Sequence, residues 1–333
     1  MRSRKPRPSG REQKEHPLGL VYSEALRRLE ELRGARTALY IAEDRPPAKA
    51  IDEDDSLILY ELLRRGGPQR RLDLVLHQFG GRVNASRRIA LLLRSYAAQL
   101  HVLIPYKARS AATVLALASD QIVMGPLAEL SPIDPQIAAS GDPPAGTPAL
   151  MSVEDIRAFR RMAEDWFGLQ REEHAMQAFA LLSQRLFPAT LGNFFRADQQ
   201  IRLIAEELLR FHLPEAAVEE RRRVVQQLAS GYYAHDYSIT REEAQRLGLR
   251  VLAASAPEEK LLWEIWQGCR RLFEIPGLAA QAADETVDGV IASADFNALH
   301  VVRWAEVQPP PVPPGGRPAR PARMPVEARW RIL

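Results

Sequence analysis

The segment LDLVLHQFGGRVNASRRIALLLRSYAAQLHVLIPYKARSAATVLALASDQIVMG, residues 72–125, decides the fold. It opens on the apolar run Leu72, Leu74, Val75 and Leu76, which reads as a strand over Arg71–Gln78. Gly80-Gly81 ends that strand, and a helix begins at Asn84 and continues through Leu93 and Tyr96. Leu100–Tyr106 is a second buried strand, Ser110–Ser119 a second helix and Asp120–Gly125 a third strand. Strand–helix units in succession, joined by connections of a few residues, predict an α/β fold with a mainly parallel sheet.

The pattern extends both ways. Ala25, Leu26, Leu29 and Leu32 recur at helical spacing, and Thr37–Glu43 reads as a strand. Ile51–Arg65 opens acidic and closes basic, as the helix dipole favours, and Gly66-Gly67-Pro68 stops it. Residues 18–140 are therefore expected to be an α/β core behind a disordered basic arm, residues 1–17. Gly141–Ala149 reads as a loop or lid. The following region, 141–280, is mainly helical: helices to Phe187, over Arg196–Phe211 and over Glu215–Leu228. Ser152–Asp155 and Thr240–Glu243 are capping boxes, and Gly248 stops the short helix that Thr240 starts. A last strand lies in Leu249–Ser255. Glu258–Phe273 is an amphipathic helix with Leu261, Leu262, Ile265 and Trp266 on one face. Residues 281–305 are a C-terminal segment. Eight of the 25 prolines fall within Pro309–Pro325, so residues 306–333 are expected to be a disordered Pro/Arg-rich tail.

Composition excludes several classes. No apolar run approaches the length of about 20 residues that crosses a bilayer, and the basic N-terminus has no apolar stretch of the secretory kind. We therefore expect no integral membrane segment and a cytoplasmic protein. The net charge of +3 does not announce a nucleic-acid partner. A lone Cys269 makes neither an internal disulfide nor a zinc site, and no histidine–carboxylate spacing suggests a metal. No cofactor is expected.

Two strand ends carry residues suited to chemistry. Gly80-Gly81 lets a backbone approach a ligand and present N–H groups to a developing oxyanion, although a tight turn explains it as well. Ser110 follows a buried strand and heads an apolar helix. It reads as a plain N-cap or as a nucleophile at a helix N-terminus, with small Ala111 and Ala112 behind it.

Taken in order, LVLHQFGGRVNASRRIA, IPYKARSAATVLALASDQIVMGPLAELSPIDPQI, LGNFFRADQQIRLIAEELL and AHDYSITREEAQRLGLRV resemble the serine dehydrogenase proteinase family. That family is a group with the Clp protease/crotonase-like fold, related to signal peptide peptidase A. The resemblance spans roughly residues 37–252. It implies a serine hydrolase, a peptide or protein substrate and a homo-oligomer. It also implies Ser110 as nucleophile, with the backbone of Gly80 or Gly81 and of Ala111 as oxyanion donors. The chain departs from the family where Gln78-Phe79 precedes the glycines, where Ala112 replaces a glycine and where Ser131 precedes Pro132.

The general base stays open among several residues. His235, beside Asp236 in a loop, is the first candidate, with Asp134 or Asp236 to orient it; the same pair reads equally as a pin for the next helix. Lys107, Lys260 and His77 are the alternatives, although Lys107 is expected to reach solvent and His77 to pack at its strand end. A catalytically silent scaffold on the same fold, and an acyl-CoA enzyme of the crotonase type, are the competing readings.

Overall fold

The structure is a computed structural model and describes residues 22–45, 48–138, 150–274, 284–307 and 322–333. Its first elements are α1 (Ser23–Arg33), β1 (Arg36–Ala42), α2 (Glu53–Gly66), β2 (Gln69–His77), α3 (Val83–Tyr96) and β3 (Ala97–Ile104). Short pieces then build the site: β4 (Lys107–Ala108), α4 (Ala111–Ala116), β5 (Gln121–Met124), β6 (Glu129–Leu130), β7 (Gln136–Ala138) and β8 (Leu150–Ser152). The helical region holds α5 (Val153–Phe167), α6 (Glu172–Arg185), α7 (Pro188–His212), α8 (Val218–Ser230) and α9 (Arg241–Arg246). The chain continues with β9 (Val251–Ala253), α10 (Ala256–Glu274), β10 (Glu285–Ser293), β11 (Phe296–Val307) and β12 (Ala322–Ile332).

The main sheet runs β12-β11-β10-β1-β2-β3-β5-β9. From β1 to β9 its neighbours are parallel, as expected from the alternation of strands and helices. Such a sheet must be covered on both faces. Tyr40, Leu74, Leu76, Val102, Ile104 and Met124 pack one face against α2, α3, α4, α7 and α8. Leu39, Ile41, Val75, Leu103 and Val123 pack the other against α1 and α10. Both expected capping boxes form, and Gly248 follows α9 at φ +93°.

The C-terminal expectation is corrected. β10, β11 and β12 form an antiparallel meander that extends the sheet from β1, so residues 322–332 are a strand and not a disordered tail. Proline richness masked the alternation of Ala328, Trp330 and Ile332, which share one side of the strand beyond its register shift. Pro325 is accommodated because β12 is an edge strand and the ladder shifts register between Arg303 and Trp304. The basic arm, the Gly141–Ala149 loop and residues 308–321 of the tail lie outside the described residues.

His212 knits α7 to the sheet. It is fully buried; its Nε2 accepts the Arg250 N–H at 2.8 Å, so its Nδ1–H donates to the Ser119 carbonyl at 2.7 Å. Burial pushes its pKa down to about 4. Folded, the ring stays neutral to about that pH, whereas unfolded it takes up a proton near pH ~6.5. Its contribution to stability is whole above pH ~6.5 and is lost as the pH falls from there towards 4. Urea unfolding should therefore give a stability that declines across this window. His212→Gln should flatten part of that slope; an identical slope in both proteins would refute the assignment.

Candidate active site

The end of β2 is tied to the segment before α4 through backbone bonds. Gln78 N–H donates to Lys107 O at 3.0 Å, and Arg109 N–H donates to Gln78 O at 2.9 Å. This lays Gly80-Gly81 against Ser110. A Cβ on Gly80 would fall 2.8 Å from the Ser110 Cβ, and one on Gly81 would fall 2.5 Å from the backbone N and O of Ile51. Both glycines also have positive φ, +105° and +143°. The pair is therefore demanded by close approach as well as by the turn.

Ser110 has φ +51° and ψ −118°, the one positive φ outside glycine among the described residues. Such a backbone costs on the order of 1–3 kcal/mol and persists only where its surroundings over-determine it. Here they are buried hydroxyls. Ser110 N–H donates to Ser131 Oγ at 2.7 Å, and that hydroxyl donates to Pro132 O at 3.0 Å. Ser131 N–H donates to Thr113 Oγ1 at 3.1 Å, which in turn donates to Ala108 O at 2.8 Å. The Ser110 side chain makes no capping bond, so the plain N-cap reading does not hold.

His235 reaches this place through strand geometry. Leu130 and Ile239 exchange backbone bonds of 3.0 and 2.9 Å in an antiparallel bridge. Four residues outward along each chain (130 + 4 and 239 − 4) stand Asp134 and His235, and the histidine Nδ1 lies 2.8 Å from Asp134 Oδ1. Asp134 is buried, and its second oxygen has no hydrogen-bond partner. Glu129 braces the arrangement: Oε1 accepts from Arg109 Nε at 2.8 Å, and Oε2 accepts from the Ser238 hydroxyl.

Ser110 and His235 line one cavity of about 330 Å³, together with Gly81 and Ala111. Its apolar side is made by Phe79, Val83 and Ile201. Ala111 is the first residue of α4, so its N–H is among the unbonded donors of a helix start. The Gly80 carbonyl is engaged by Ile51 N–H at 2.8 Å, and Gly81 rather than Gly80 lines the cavity.

The other sequence candidates lie elsewhere. Asp236 is exposed, and His235 turns to Asp134 instead. The Lys107 ammonium rests over the rings of Tyr106, 4.3 Å, and Phe79, 5.4 Å, rather than extending freely into solvent. Lys260 is exposed on α10, which covers the opposite face of the sheet. His77 is buried beside Tyr106, Trp266 and Phe79, and its Nδ1 accepts the Lys107 N–H at 3.1 Å. Burial first, and the Lys107 charge second, pull its pKa down to about 3. None of these four side chains lines the cavity that holds Ser110.

Sequence reasoning did not give Ser131 and Thr113 their structural part. A serine ahead of prolines reads as a turn residue, and a threonine inside an apolar helix reads as filler. The spacing of Ala197, Gln200 and Ile201, one face of α7, was the available signal for the far wall of the cavity. Ser131→Ala leaves the Ser110 N–H buried without its acceptor. We expect a loss of about 1–3 kcal/mol in denaturant unfolding; an unchanged midpoint would remove Ser131 from this role.

Residues 18–154 match the family model described as ClpP-like SDH-type serine proteinase. Among curated proteins, the uncharacterized protein MJ0137 of Methanocaldococcus jannaschii is 31% identical over 214 residues, 64% of this chain and 64% of that protein. The chain thus spans just under two thirds of that relative. The uncharacterized protein MJ1495 of the same organism is 28% identical over 233 residues, 68% of this chain and 70% of that protein. Among solved structures, two mutants of the 1510-N membrane-bound stomatin-specific protease align at 16% identity and a TM-score of 0.38, one of them in complex with a substrate peptide. They cover 66% and 67% of this chain and 81% and 78% of their own. No described helix is long and apolar enough to cross a membrane. The stretch similar to the ClpP-like SDH-type serine proteinases, residues 18–154, contains Gly80-Gly81, Ser110 and Asp134.

Proposed function

We propose that the protein is a serine hydrolase acting on peptide bonds, with Ser110 as nucleophile, His235 as general base and Asp134 as the carboxylate that orients it. The observation that carries this reading is the 2.8 Å contact of His235 Nδ1 with Asp134, made by a histidine that shares a cavity with Ser110. With Nδ1 occupied, Nε2 is the nitrogen that takes the Ser110 proton as Oγ attacks the carbonyl carbon. The N–H groups of Gly81 and Ala111 meet the oxyanion, which strengthens as the tetrahedral intermediate forms. Collapse of the intermediate returns the proton from His235 to the departing amine and leaves an acyl-Ser110 ester. Water, deprotonated by His235, then hydrolyses that ester. Asp134 holds the ring in one tautomer and stabilises the imidazolium. The family description supports a peptide or protein as substrate.

Two further parts of the reading concern setting. Trp166, Phe167, Phe187 and Phe195 are exposed on α5, α7 and the turn between α6 and α7, which supports burial against further copies in a homo-oligomer. The reading also includes a cytoplasmic location, in which the lone Cys269 thiol stays reduced.

Ser110→Ala should abolish labelling by a fluorophosphonate and lower peptide hydrolysis by about a thousandfold or more. Persistent labelling of that variant would remove Ser110 as nucleophile. Asp134→Asn, close in shape to the parent, should cost on the order of 10⁴-fold in kcat through the wrong tautomer. An Asp134→Asn protein with parental kcat would return His235 to a purely structural part.

A further inference from the structure

We propose that Trp330, on β12, is a positioning residue for the Gly80-Gly81 loop, acting through the buried carboxylate of Asp55. The catalytic consequence rests on the reading of Ser110 given above; the mechanical link does not.

Asp55 is fully buried in the first turn of α2 and accepts from four residues on three segments. The Tyr40 hydroxyl on β1 donates to Oδ2 at 2.5 Å, and the Asp52 N–H donates to the same oxygen at 2.9 Å. The Lys49 ammonium bridges both oxygens, at 2.8 and 3.0 Å. The Trp330 indole N–H completes the set, reaching Oδ1 at 2.8 Å. Lys49 and Asp52 flank Ala50 and Ile51, and Ile51 meets the glycine loop. Lys49 Nζ also donates to Ala50 O at 2.6 Å. Ile51 N–H donates to Gly80 O at 2.8 Å, and Arg82 N–H donates to Ile51 O at 2.9 Å. The segment 49–52 is therefore pinned to Asp55 at both ends and presses its middle against Gly81, where no Cβ fits.

The indole is fitted into this place. Its ring lies 5.8 Å from the Lys49 ammonium and meets His300 edge-on at 5.2 Å. Gly289 on β10 lies beneath it: a Cβ there would crowd the His300 Cβ at 3.1 Å and touch the Lys49 stem and the Trp330 ring, each at 3.4 Å. β12 lies beyond the stretch that matches the family, whereas Tyr40, Lys49, Ile51, Asp55 and Gly80 lie within it. The C-terminal strand thus straps a site built by the first half of the chain. Without the indole N–H, the carboxylate loses one of its four holders. Its grip on Lys49 and Asp52, and so the seating of Gly81, should loosen.

The test uses the full chain with Trp330→Phe and Trp330→Ala, and Val326→Ala on the exposed part of the same strand as a control. Hydrogen exchange reads the amides of Ile51 and Arg82, the two donors that hold the loop, against those of Val75 and Val102 in the centre of the sheet. We expect Ile51 and Arg82 to exchange about tenfold faster or more in Trp330→Phe, with Val75 and Val102 unchanged and Val326→Ala like the parent. Peptide hydrolysis should lose about tenfold in kcat with KM within about twofold, the split expected when an interaction made in the transition state is misplaced. Parental protection of Ile51 and Arg82 in both Trp330 variants would overturn the proposal. So would equal loss of protection throughout the sheet, or an unchanged kcat in an active parent. If the parent fails to hydrolyse or to take the fluorophosphonate while Ile51 and Arg82 respond, the strap stands and the nucleophile reading falls.

Discussion

The bond from the Ser110 N–H to the Ser131 hydroxyl holds a residue in a backbone conformation that it would not adopt by itself. The neighbouring requirements follow from it. Gly80 has to lack a side chain because the Ser110 Cβ occupies that space, and Gly81 has to lack one because Ile51 does. Ser131 is aimed by Thr113, which is itself anchored to Ala108 of β4. Buried hydroxyls suit this work: each both donates and accepts, so a short chain of them leaves few polar atoms unpaired in a dry interior.

The same logic explains why the site sits where it does. Parallel strands deliver their ends to one rim of the sheet, and here β2 and the segment after β3 end beside each other. A helix start placed at that rim offers N–H groups without partners. The histidine loop is added afterwards by the pairing of Leu130 with Ile239, with Glu129 joining its two sides through Arg109 and Ser238. Each part is local and simple; the combination depends on four separate connections meeting within one cavity.

The parallel core was legible because β1, β2 and β3 are apolar on both faces and α2, between the first two, opens acidic and stops at a glycine pair. Gly80-Gly81 and Ser110 stood out because each ends a strand. The partnership of His235 with Asp134 was legible only as one pairing among several, since it joins residues 101 apart and depends on a bridge whose register no local pattern announces. Asp236, the sequence neighbour, was an equal alternative and is exposed. β12 was hidden for a different reason. Its period of two is interrupted by Pro325 and preceded by a proline-rich run, so composition outweighed alternation, and only a partner strand that tolerates a bulge reveals it.

The bond between Asp55 and Trp330 spans 275 residues of chain. At the pace of ribosomal synthesis, about 5–20 residues per second, the interval between making the first partner and the second is on the order of tens of seconds. Throughout that time the carboxylate has Tyr40, Lys49 and Asp52 at hand but lacks its fourth donor. A growing chain can therefore assemble its parallel strands well before its glycine loop is fully seated. The order of translation gives such a molecule a delay between acquiring its shape and acquiring its finished cavity.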